Sequence, residues 1–586
     1  MTSADSIQTQ KLDALHMPLY GRQVIEASAG TGKTWTLAAL YLRLVLGHQR
    51  RAPLLPPQIL VMTFTDAATA ELRDRIRERL SQAAVFFDAS AQKKSLSFGF
   101  KADPFLIALR DSYSKDTWPS CALQLNCATE WMDDAAIYTI HGWSRRMLSQ
   151  HALASRNLFE QTHLENAEDL QRALVQDYWR EWFYPLSAHA LECISPFIGN
   201  APDVLLSKVR TVWTEIERKP SNTDAPAFNP LQIIDTHLAW AQELVSKAEV
   251  CRSHWNDALY ATLEEVGSKK KLKGVRSDHY ANWLQQLKNW AENQTTIKPD
   301  VIARFTTSVL TEKNWLEAKD FTFFATVEDY VLHQKSEPKT EQQLTLHAAH
   351  TVGEKYKTAK AQRAAFDFSD LLQNLHGAVM AEDGRLATAI RYQYPVALVD
   401  EFQDTDPWQY GTLNRIYADA ACDTSNALIM IGDPKQAIYS FRGADLGTYL
   451  TARSDAIASN PQAIHTLSRN RRSTASLVSA LNHVFSQIDA PFACAQGQID
   501  YVRVSAEGDI AGLVNTDKTP HPAMTVWNIP CDGAPTKAHT HLHAMSLAFA
   551  DRMAELLNHG MATPGEMAVL VRGQHQADAI RKALLA

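Results

Sequence analysis

One short loop near the N-terminus has the residue types that bind a polyphosphate. Residues 27–34 read Ala-Ser-Ala-Gly-Thr-Gly-Lys-Thr and lie between an apolar run and a helical pattern. Such a loop points backbone N–H groups and the start of the next helix at phosphate oxygens. Lys33 would reach the β and γ phosphates, and the Thr34 hydroxyl would ligate Mg²⁺. The usual first glycine is Ala27 here, so the strict motif is not met, but the context still predicts phosphate binding. The expected contacts are Ala27, Ser28, Ala29, Gly30, Thr31, Gly32, Lys33 and Thr34.

Two adjacent acids follow a later apolar run, at 396–399. A phosphate-binding loop needs an acid at the end of a neighbouring strand, and Asp400 would hold the Mg²⁺ there. Glu401 would orient and deprotonate the attacking water. The alternative is that the pair only caps a helix that begins after the strand.

A third segment, 432–444, combines an amide, two aromatic rings and a guanidinium. Gln436 closely follows a strand edge and is suited to sensing a γ-phosphate. Tyr439 and Phe441 alternate with polar residues and are followed by Arg442, which suits stacking on single-stranded bases. The alternative is ordinary packing, which two rings and one arginine do not exclude.

A parallel sheet is the element that would bring these loops together. Apolar runs at 23–26, 59–64, 396–399 and 427–431 predict buried strands, and helical patterns follow the first two at 34–46 and 67–80. This order predicts a doubly wound α/β fold, in which ligands bind at the carboxyl ends of the strands. Helical periodicity between about 150 and 365 predicts a large helical insertion. After about 455, strand-like stretches occur at 524–529 and 567–571.

Composition restricts the class of protein. The chain has 586 residues, of which 45% are hydrophobic and 21% charged, as is ordinary for a soluble globular protein. A formal net charge of −7 excludes a histone-like basic protein, although a basic channel can lie on an acidic molecule. Seven cysteines without a CxxC predict neither a disulfide framework nor a zinc ribbon. With no signal peptide and no apolar run near the ~18 residues of a membrane span, we expect a cytoplasmic protein.

Five motifs in this order make the chain resemble superfamily 1 DNA helicases of the UvrD/Rep class. Within that class it is similar to the RecB family, from about residue 17 to the last residue. The motifs that carry the resemblance are the segments 25–44, 63–72, 135–143, 400–407 and 432–445. The resemblance implies a RecA-like motor domain with an all-helical insertion and a partial second RecA-like domain. The implied boundaries are 1–150 and 356–452 for the first domain (1A), 151–355 for the insertion (1B) and 453–586 for the incomplete second domain (2A).

The resemblance also implies roles for individual residues. Those implied for the ATP half-site are Lys33, Thr34, Asp400, Glu401, Gln436 and Arg472. Those implied for the path of single-stranded DNA are Thr63, Phe64, Thr65, His141, Tyr439, Phe441 and Arg442. Two alternatives stay open, namely that Phe64 belongs to a strand core and that His141 is only a turn residue. The family pattern has an aromatic residue where this chain has Arg471, so adenine stacking is open there. Gln23 is too close to the loop to read adenine, and Tyr20 lies where such a residue is expected.

By the same resemblance, the function is that of an ATP- and Mg²⁺-dependent 3′→5′ DNA helicase subunit in double-strand-break repair and recombination. The implied partners are single-stranded DNA, duplex DNA ends, and RecC-like and RecD-like subunits. The chain stops before the last helicase motifs and the family's nuclease domain. We therefore expect the 586-residue form to bind nucleotide weakly, but neither to hydrolyse it at a helicase-like rate nor to unwind or degrade DNA. The alternatives are a UvrD/Rep-type repair helicase and a non-catalytic ATP- or DNA-binding fragment.

Overall fold

The computed structural model divides the chain into two compact units. One comprises Met1–Phe159 with Asp370–Ala586, and the other comprises Glu160–Ser369. The structure describes residues 10–49, 52–92, 102–155, 162–164, 166–217, 229–269, 277–313, 322–417, 425–439, 444–494, 497–508, 510–528 and 536–586. Its strands are β1 (Gln10–Lys11), β2 (Gly21–Ala27), β3 (Ile59–Thr63), β4 (Ile137–Thr139), β5 (Thr162–His163), β6 (Ala365–Phe366), β7 (Val396–Val399), β8 (Ala427–Gly432), β9 (Ile464–Leu467), β10 (Arg469–Asn470), β11 (Phe492–Cys494), β12 (Gly497–Ile499) and β13 (Ser505–Ala506).

A parallel sheet of seven strands organises the first unit. The strand order is β1-β9-β2-β8-β7-β3-β4, and every neighbouring pair runs parallel. All residues of β3, β7 and β8 are buried, as expected for parallel strands covered on both faces. The α/β prediction is thus confirmed, and the four predicted apolar runs are β2, β3, β7 and β8.

The helices before the insertion pack beside this sheet and begin where the loops end. They are α1 (Lys33–Leu46), α2 (Asp66–Gln92), α3 (Pro104–Asp111), α4 (Trp118–Glu130), α5 (Ile140–Gln150) and α6 (Ala152–Ser155). Helix α1 starts at the left-handed Gly32 and stops at the left-handed Gly47, whose N–H bonds carbonyls of the last turn. Every residue of α1 from Thr36 to Leu46 is buried, so the helix that follows the phosphate loop is part of the core.

The second unit is helical apart from one parallel pair, β5 with β6. Its helices are α7 (Ala167–Trp182), α8 (Ala188–Ile198), α9 (Pro202–Glu217), α10 (Pro230–Ser253), α11 (Asp257–Lys269), α12 (Ser277–Ala291), α13 (Pro299–Ile302), α14 (Thr307–Glu312), α15 (Thr322–Lys335) and α16 (Thr340–Gln362). Two apolar clusters fill it, one centred on α7, α9 and α16 and the other on α10, α12 and α15.

The chain then returns to the first unit. The remaining helices are α17 (Phe368–Val379), α18 (Arg385–Gln393), α19 (Pro407–Ile416), α20 (Leu446–Ser459), α21 (Ala475–Phe485), α22 (Ala538–Asn558) and α23 (Gln574–Leu585). Strand β9 pairs with β2, so the first sheet continues beyond residue 452, where the resemblance begins the second motor domain.

The predicted strands at 524–529 and 567–571 are wrong for the residues the structure describes there. These residues have no ladder partner within the described chain, and Val526 and Leu570 are almost fully exposed. A strand needs a neighbour to bond its backbone groups, and an apolar pattern alone does not supply one. In the described ranges, no helix is both long and apolar enough to cross a membrane.

Candidate nucleotide-binding site

The loop between β2 and α1 is held in shape by a segment more than 400 positions away. Gly30 and Gly32 have φ values of 75° and 93°, the left-handed region that glycine adopts without strain. The Asn470 side-chain amide donates to the Ala29 carbonyl at 2.9 Å, and the Arg471 N–H donates to the Gly30 carbonyl at 2.8 Å. A Cβ on Gly30 would lie 2.7 Å from Cβ of Arg472. The loop therefore has a fixed backbone that leaves no room for a side chain at this position.

The acidic turn after β7 faces this loop. The Asp400 N–H donates to the Met62 carbonyl of β3 at 2.9 Å, which continues the ladder by one residue. Glu401 then turns into the left-handed region at φ 47°, an uncommon and costly conformation for a residue with a side chain. That turn brings its carboxylate to Lys33, with Nζ and Oε2 2.6 Å apart. Glu401 occupies the N-cap position of a short 3-10 helix, Phe402–Asp404, but its side chain makes no cap hydrogen bond there, and the cap of the following helix α19 is Asp406. Capping therefore does not account for the acidic pair.

The electrostatics of the turn favour a bound cation. Burial raises the pKa of Asp400 to about 6, the Glu401 charge adds to this, and Lys33 opposes it. Burial, followed by the Glu401 charge, also raises the pKa of Asp404 to about 6. Oδ1 of Asp404 is buried without a hydrogen-bond partner among the described residues. Thr34 and Asp400 line one cleft, and such hard oxygen donors are what Mg²⁺ prefers. The residues present therefore fit a divalent cation beside a phosphate.

Gln403 connects this turn to the loop after β8 and was not singled out from the sequence. Its side-chain amide donates to Oε2 of Glu401 at 2.8 Å and accepts from the Asp433 N–H at 2.9 Å. Gln436 in turn donates to Oδ2 of Asp433 at 2.7 Å. The predicted base and the predicted phosphate sensor are thus linked through two intervening side chains. The signal for this role in the sequence was an amide residue, Gln403, close to two acidic residues.

A single cleft of about 570 Å³ contains residues from both predicted sets. Those from the ATP set are Thr34, Asp400, Glu401, Gln436 and Arg472. Those from the DNA set are Thr63, Phe64, Thr65 and Tyr439. The rings of Phe64 and Tyr439 stack with centroids 5.0 Å apart and planes at 28°. Phe64 follows the last residue of β3 and is half-buried in the cleft wall, so the strand-core alternative does not describe it.

Four members of the DNA set, one of them the cleft residue Thr63, differ from the stacked pair in their placement. Thr63 is buried, and its hydroxyl is 2.5 Å from that of Thr69. His141 lies in the first turn of α5, outside the described lining of the cleft, and burial lowers its pKa. Phe441 and Arg442 lie outside the described residues, so their predicted roles stay predictions.

A second cavity, of about 590 Å³, adjoins the phosphate loop at Thr31 and Gly32. Trp35 contributes an exposed ring to it, edge-on to Phe105 at 5.4 Å. The rest of its wall is formed by residues 11–16, the end of β9, Arg469 and Arg471. Gln23 is buried in β2, where it bonds His465 and the Tyr20 carbonyl, and neither Gln23 nor Tyr20 is among the described lining residues. The sequence signal for this cavity was Trp35, the aromatic residue directly after Lys33 and Thr34.

Comparison with known proteins agrees with this arrangement of loops. Residues 7–457 match the UvrD/REP helicase N-terminal domain. The chain is 33% identical over 600 residues to RecBCD enzyme subunit RecB of Escherichia coli (strain K12), covering 98% of this chain and 48% of that protein. It is 34% identical over 514 residues to RecBCD enzyme subunit RecB of Haemophilus influenzae, covering 83% and 41% respectively. The protein of the same name from Chlamydia muridarum is 28% identical over 497 residues, with 83% and 44% covered.

The family match includes the loop at 27–34 and the strands β2, β3, β7 and β8. The chain spans about half the length, or less, of each of these relatives. A helicase domain of this kind uses a nucleotide, which agrees with the loop and acid turn described above. The chain belongs to the UvrD/REP helicase family, as a RecB-like member.

Proposed function

We propose that the chain is the motor portion of a RecB-type helicase subunit that uses ATP to move 3′→5′ along single-stranded DNA. The observation that carries this proposal is the contact of Lys33 with Glu401, in a cleft shared with Gln436 and the Phe64–Tyr439 pair. Loops that follow neighbouring strands of one sheet supply these groups. ATP chemistry and base stacking are therefore close enough to affect one another.

Each side chain near the phosphates has a distinct task. Thr34 and Asp400 would hold Mg²⁺, which when bound neutralises charge on the β and γ phosphates. Lys33 exchanges the Glu401 carboxylate for phosphate oxygens, because both are anionic partners for the same ammonium group. Glu401, freed from Lys33, accepts the proton of the attacking water. Gln436 orients the γ-phosphate from the adjacent loop, and Arg472 is one of the cationic side chains that line the cleft.

The second cavity is suited to the nucleoside. It shares Thr31 and Gly32 with the phosphate loop but lies apart from Glu401 and Gln436, which line the other cleft. The exposed face of Trp35 offers a stacking surface for a purine, and Arg471 lies across the same cavity. We assign the adenine to this cavity.

The wider biological role rests on the relatives. Proteins named RecBCD enzyme subunit RecB match most of this chain, so we propose RecC-like and RecD-like partners and action on duplex ends in double-strand-break repair. The single-strand path would include the seven residues named from the sequence, Phe441 and Arg442 among them. The motor-domain boundaries and a cytoplasmic location remain part of this proposal. Four described cysteines are free, in keeping with a reducing compartment.

The test is a binding experiment on the purified chain. A fluorescent ATP analogue should bind in Mg²⁺ and be displaced by ATP, and a labelled 3′-tailed duplex should bind through its single-stranded tail. Single-stranded DNA should also raise the rate of single-turnover ATP hydrolysis. Failure of ATP to displace the analogue, or DNA binding that needs no single-stranded tail, would contradict the proposal.

A further inference from the structure

A buried arginine lies at the far end of the helix that follows the phosphate loop. Arg43 is fully buried in α1, three turns beyond Lys33, and no role in the ATP or DNA sets named above is assigned to it. Within the described residues no carboxylate lies within ion-pair distance of Arg43, although the charge of Asp13 acts on it from farther away, and its Nη2 has no hydrogen-bond partner. A buried cation without a direct ion pair is costly, and an apolar side chain would fill the same core at less cost. Its contacts therefore need an explanation beyond the stability of the core.

Those contacts converge on one turn of the chain. Nη1 of Arg43 donates to the carbonyls of Ala14 and Met17, both at 2.9 Å. Gln49 adds a bond from its side-chain amide to the Leu15 carbonyl at 3.1 Å. The turn itself has the Met17 N–H bonded to the Asp13 carbonyl, and Leu12 is tied to β9 through the Thr466 carbonyl. Arg43 thus fixes the side of the turn that lies toward the core.

The arginine is itself held in one orientation. Its Nε donates to Nδ1 of His48 at 3.0 Å, so this imidazole nitrogen must be unprotonated. The neutral ring then carries its proton on Nε2, which can donate to the Ser112 hydroxyl at 3.2 Å. Burial, followed by the Arg43 charge, lowers the pKa of His48 to about 4, which agrees with a neutral ring. The guanidinium is therefore anchored on one side and directed at the turn on the other.

The outer side of the same turn is a wall of the second cavity. Residues 12–16 line it together with Trp35, and Arg43 is not among its described lining residues. We propose that Arg43 is a positioning residue for the nucleoside part of the ATP site, acting through the turn at 12–17. The inference rests on the proposed function, because it needs the adenine to occupy this cavity. The bonds that hold the phosphate loop run instead to Asn470 and Arg471, so we expect the loop to keep its shape when the turn changes.

This separation gives a specific expectation for two ligands. ATP uses both the loop and the cavity, whereas inorganic tripolyphosphate uses the loop alone. Replacing Arg43→Met should weaken ATP binding about ten-fold, the effect of losing one or two hydrogen bonds from a charged donor. Tripolyphosphate binding should stay within about two-fold of the original protein, a difference of no more than ~0.4 kcal/mol. Arg43→Lys keeps the charge, but one ammonium cannot bond His48 and both carbonyls, so the ratio of ATP to tripolyphosphate affinity should fall at least about two-fold.

The experiment measures both affinities by calorimetry on the 586-residue chain, with hydrogen exchange at the Met17 amide as a second readout. Leu40→Ala is the matched control, because it leaves a cavity in the same buried helix but removes no hydrogen bond to the turn. It should lower thermal stability and leave the affinity ratio unchanged. Gln49→Ala should shift the ratio in the same direction as the arginine variants, by less.

The outcomes distinguish a failure of the proposed function from a failure of the positioning role of Arg43. If the unaltered chain binds neither ATP nor tripolyphosphate, the proposed function fails. If it binds both, and Arg43→Met weakens both equally or neither, the positioning role is overturned. If Arg43→Met does not fold, the Lys variant decides alone. An unchanged ratio with unchanged exchange at Met17 overturns the role, and a lowered ratio with faster exchange supports it.

Discussion

Replacing Glu401→Gln should separate nucleotide binding from nucleotide hydrolysis. The carboxylate is the described partner of Lys33, with Nζ and Oε2 2.6 Å apart, and a phosphate must displace it. Gln keeps the size of the side chain but removes both the charge and the proton acceptor. We therefore expect ATP to bind at least as tightly as before while turnover stops.

The size of the effect follows from the exposure of the pair. Lys33 is 13% exposed and Glu401 is 38% exposed, so solvent screens their attraction strongly. A half-exposed ion pair of this kind is worth about 1 kcal/mol, which predicts an ATP affinity up to about five-fold tighter in the variant. Loss of a general base lowers the chemical rate by roughly 10²–10⁴. Asp400→Ala should behave in the opposite way, weakening ATP binding in Mg²⁺ while leaving binding in EDTA unchanged.

The assay compares the two variants with the unaltered chain by fluorescent-nucleotide titration, each in Mg²⁺ and in EDTA. Single-turnover hydrolysis with single-stranded DNA present measures the chemical step separately. Equal losses of nucleotide affinity in both variants would contradict the separate roles of base and metal ligand. Hydrolysis by Glu401→Gln at the original rate would refute the assignment of the base.

Five further substitutions test the neighbouring parts of the site. Lys33→Ala removes the described cation of the phosphate loop and should abolish DNA-stimulated ATP hydrolysis. The expected loss of transition-state stabilisation is several kcal/mol. Retained hydrolysis in this variant would disprove the role of Lys33. Tyr439→Ala should weaken the binding of single-stranded DNA by ~1–3 kcal/mol, because it removes a stacking ring. The dependence of the binding constant on salt concentration should not change, because no phosphate contact is lost. We expect the same result for Phe441→Ala. A change of about one unit in the slope of that dependence would count against stacking. Gly30→Ala should impair ATP binding more than Gly32→Ala. Both glycines have left-handed backbones, but only a Cβ at position 30 would collide with Arg472 and Asn470. Equal losses of affinity would show that backbone strain alone matters.

The strands of the central sheet could be predicted because their cause is local. Val396–Val399 and Ala427–Gly432 are continuous apolar runs, and burial on both faces requires that composition wherever the strands lie in the sheet. The phosphate loop was likewise readable, since its glycines and lysine occupy adjacent positions. The same reasoning failed at 524–529 and 567–571, where an apolar pattern lacks the neighbouring strand that it needs.

The supports of the site could not be predicted, because they join residues far apart in the chain. Asn470 bonds a carbonyl 441 positions earlier, and Gln403 bonds an N–H 30 positions later. Neither contact leaves a periodicity or a spacing in the sequence. The role of the turn at 12–17 as a cavity wall depends on its contacts with Arg43 and β9, which are distant in the sequence. Support contacts of this kind depend on the three-dimensional fold, whereas the motif chemistry depends on residue type.

The order of the strands explains why one cleft can couple the two kinds of ligand. Parallel strands all end at one edge, and the loops after β2, β8, β7 and β3 carry Lys33, Gln436, Glu401 and Phe64 respectively. With strands ~4.8 Å apart, the first and last of these loops are only about 14 Å from one another along the edge. Between them, Gln403 joins the Glu401 carboxylate to the Asp433 backbone, and Tyr439 follows six residues later. A change at Glu401 on phosphate binding or release is thus connected to the stacked ring by two hydrogen bonds and six residues of chain. The second cavity lies on the other side of β2, beside β9, and this route does not pass through it. We therefore expect no such coupling for the nucleoside, whose proposed positioning residue is Arg43.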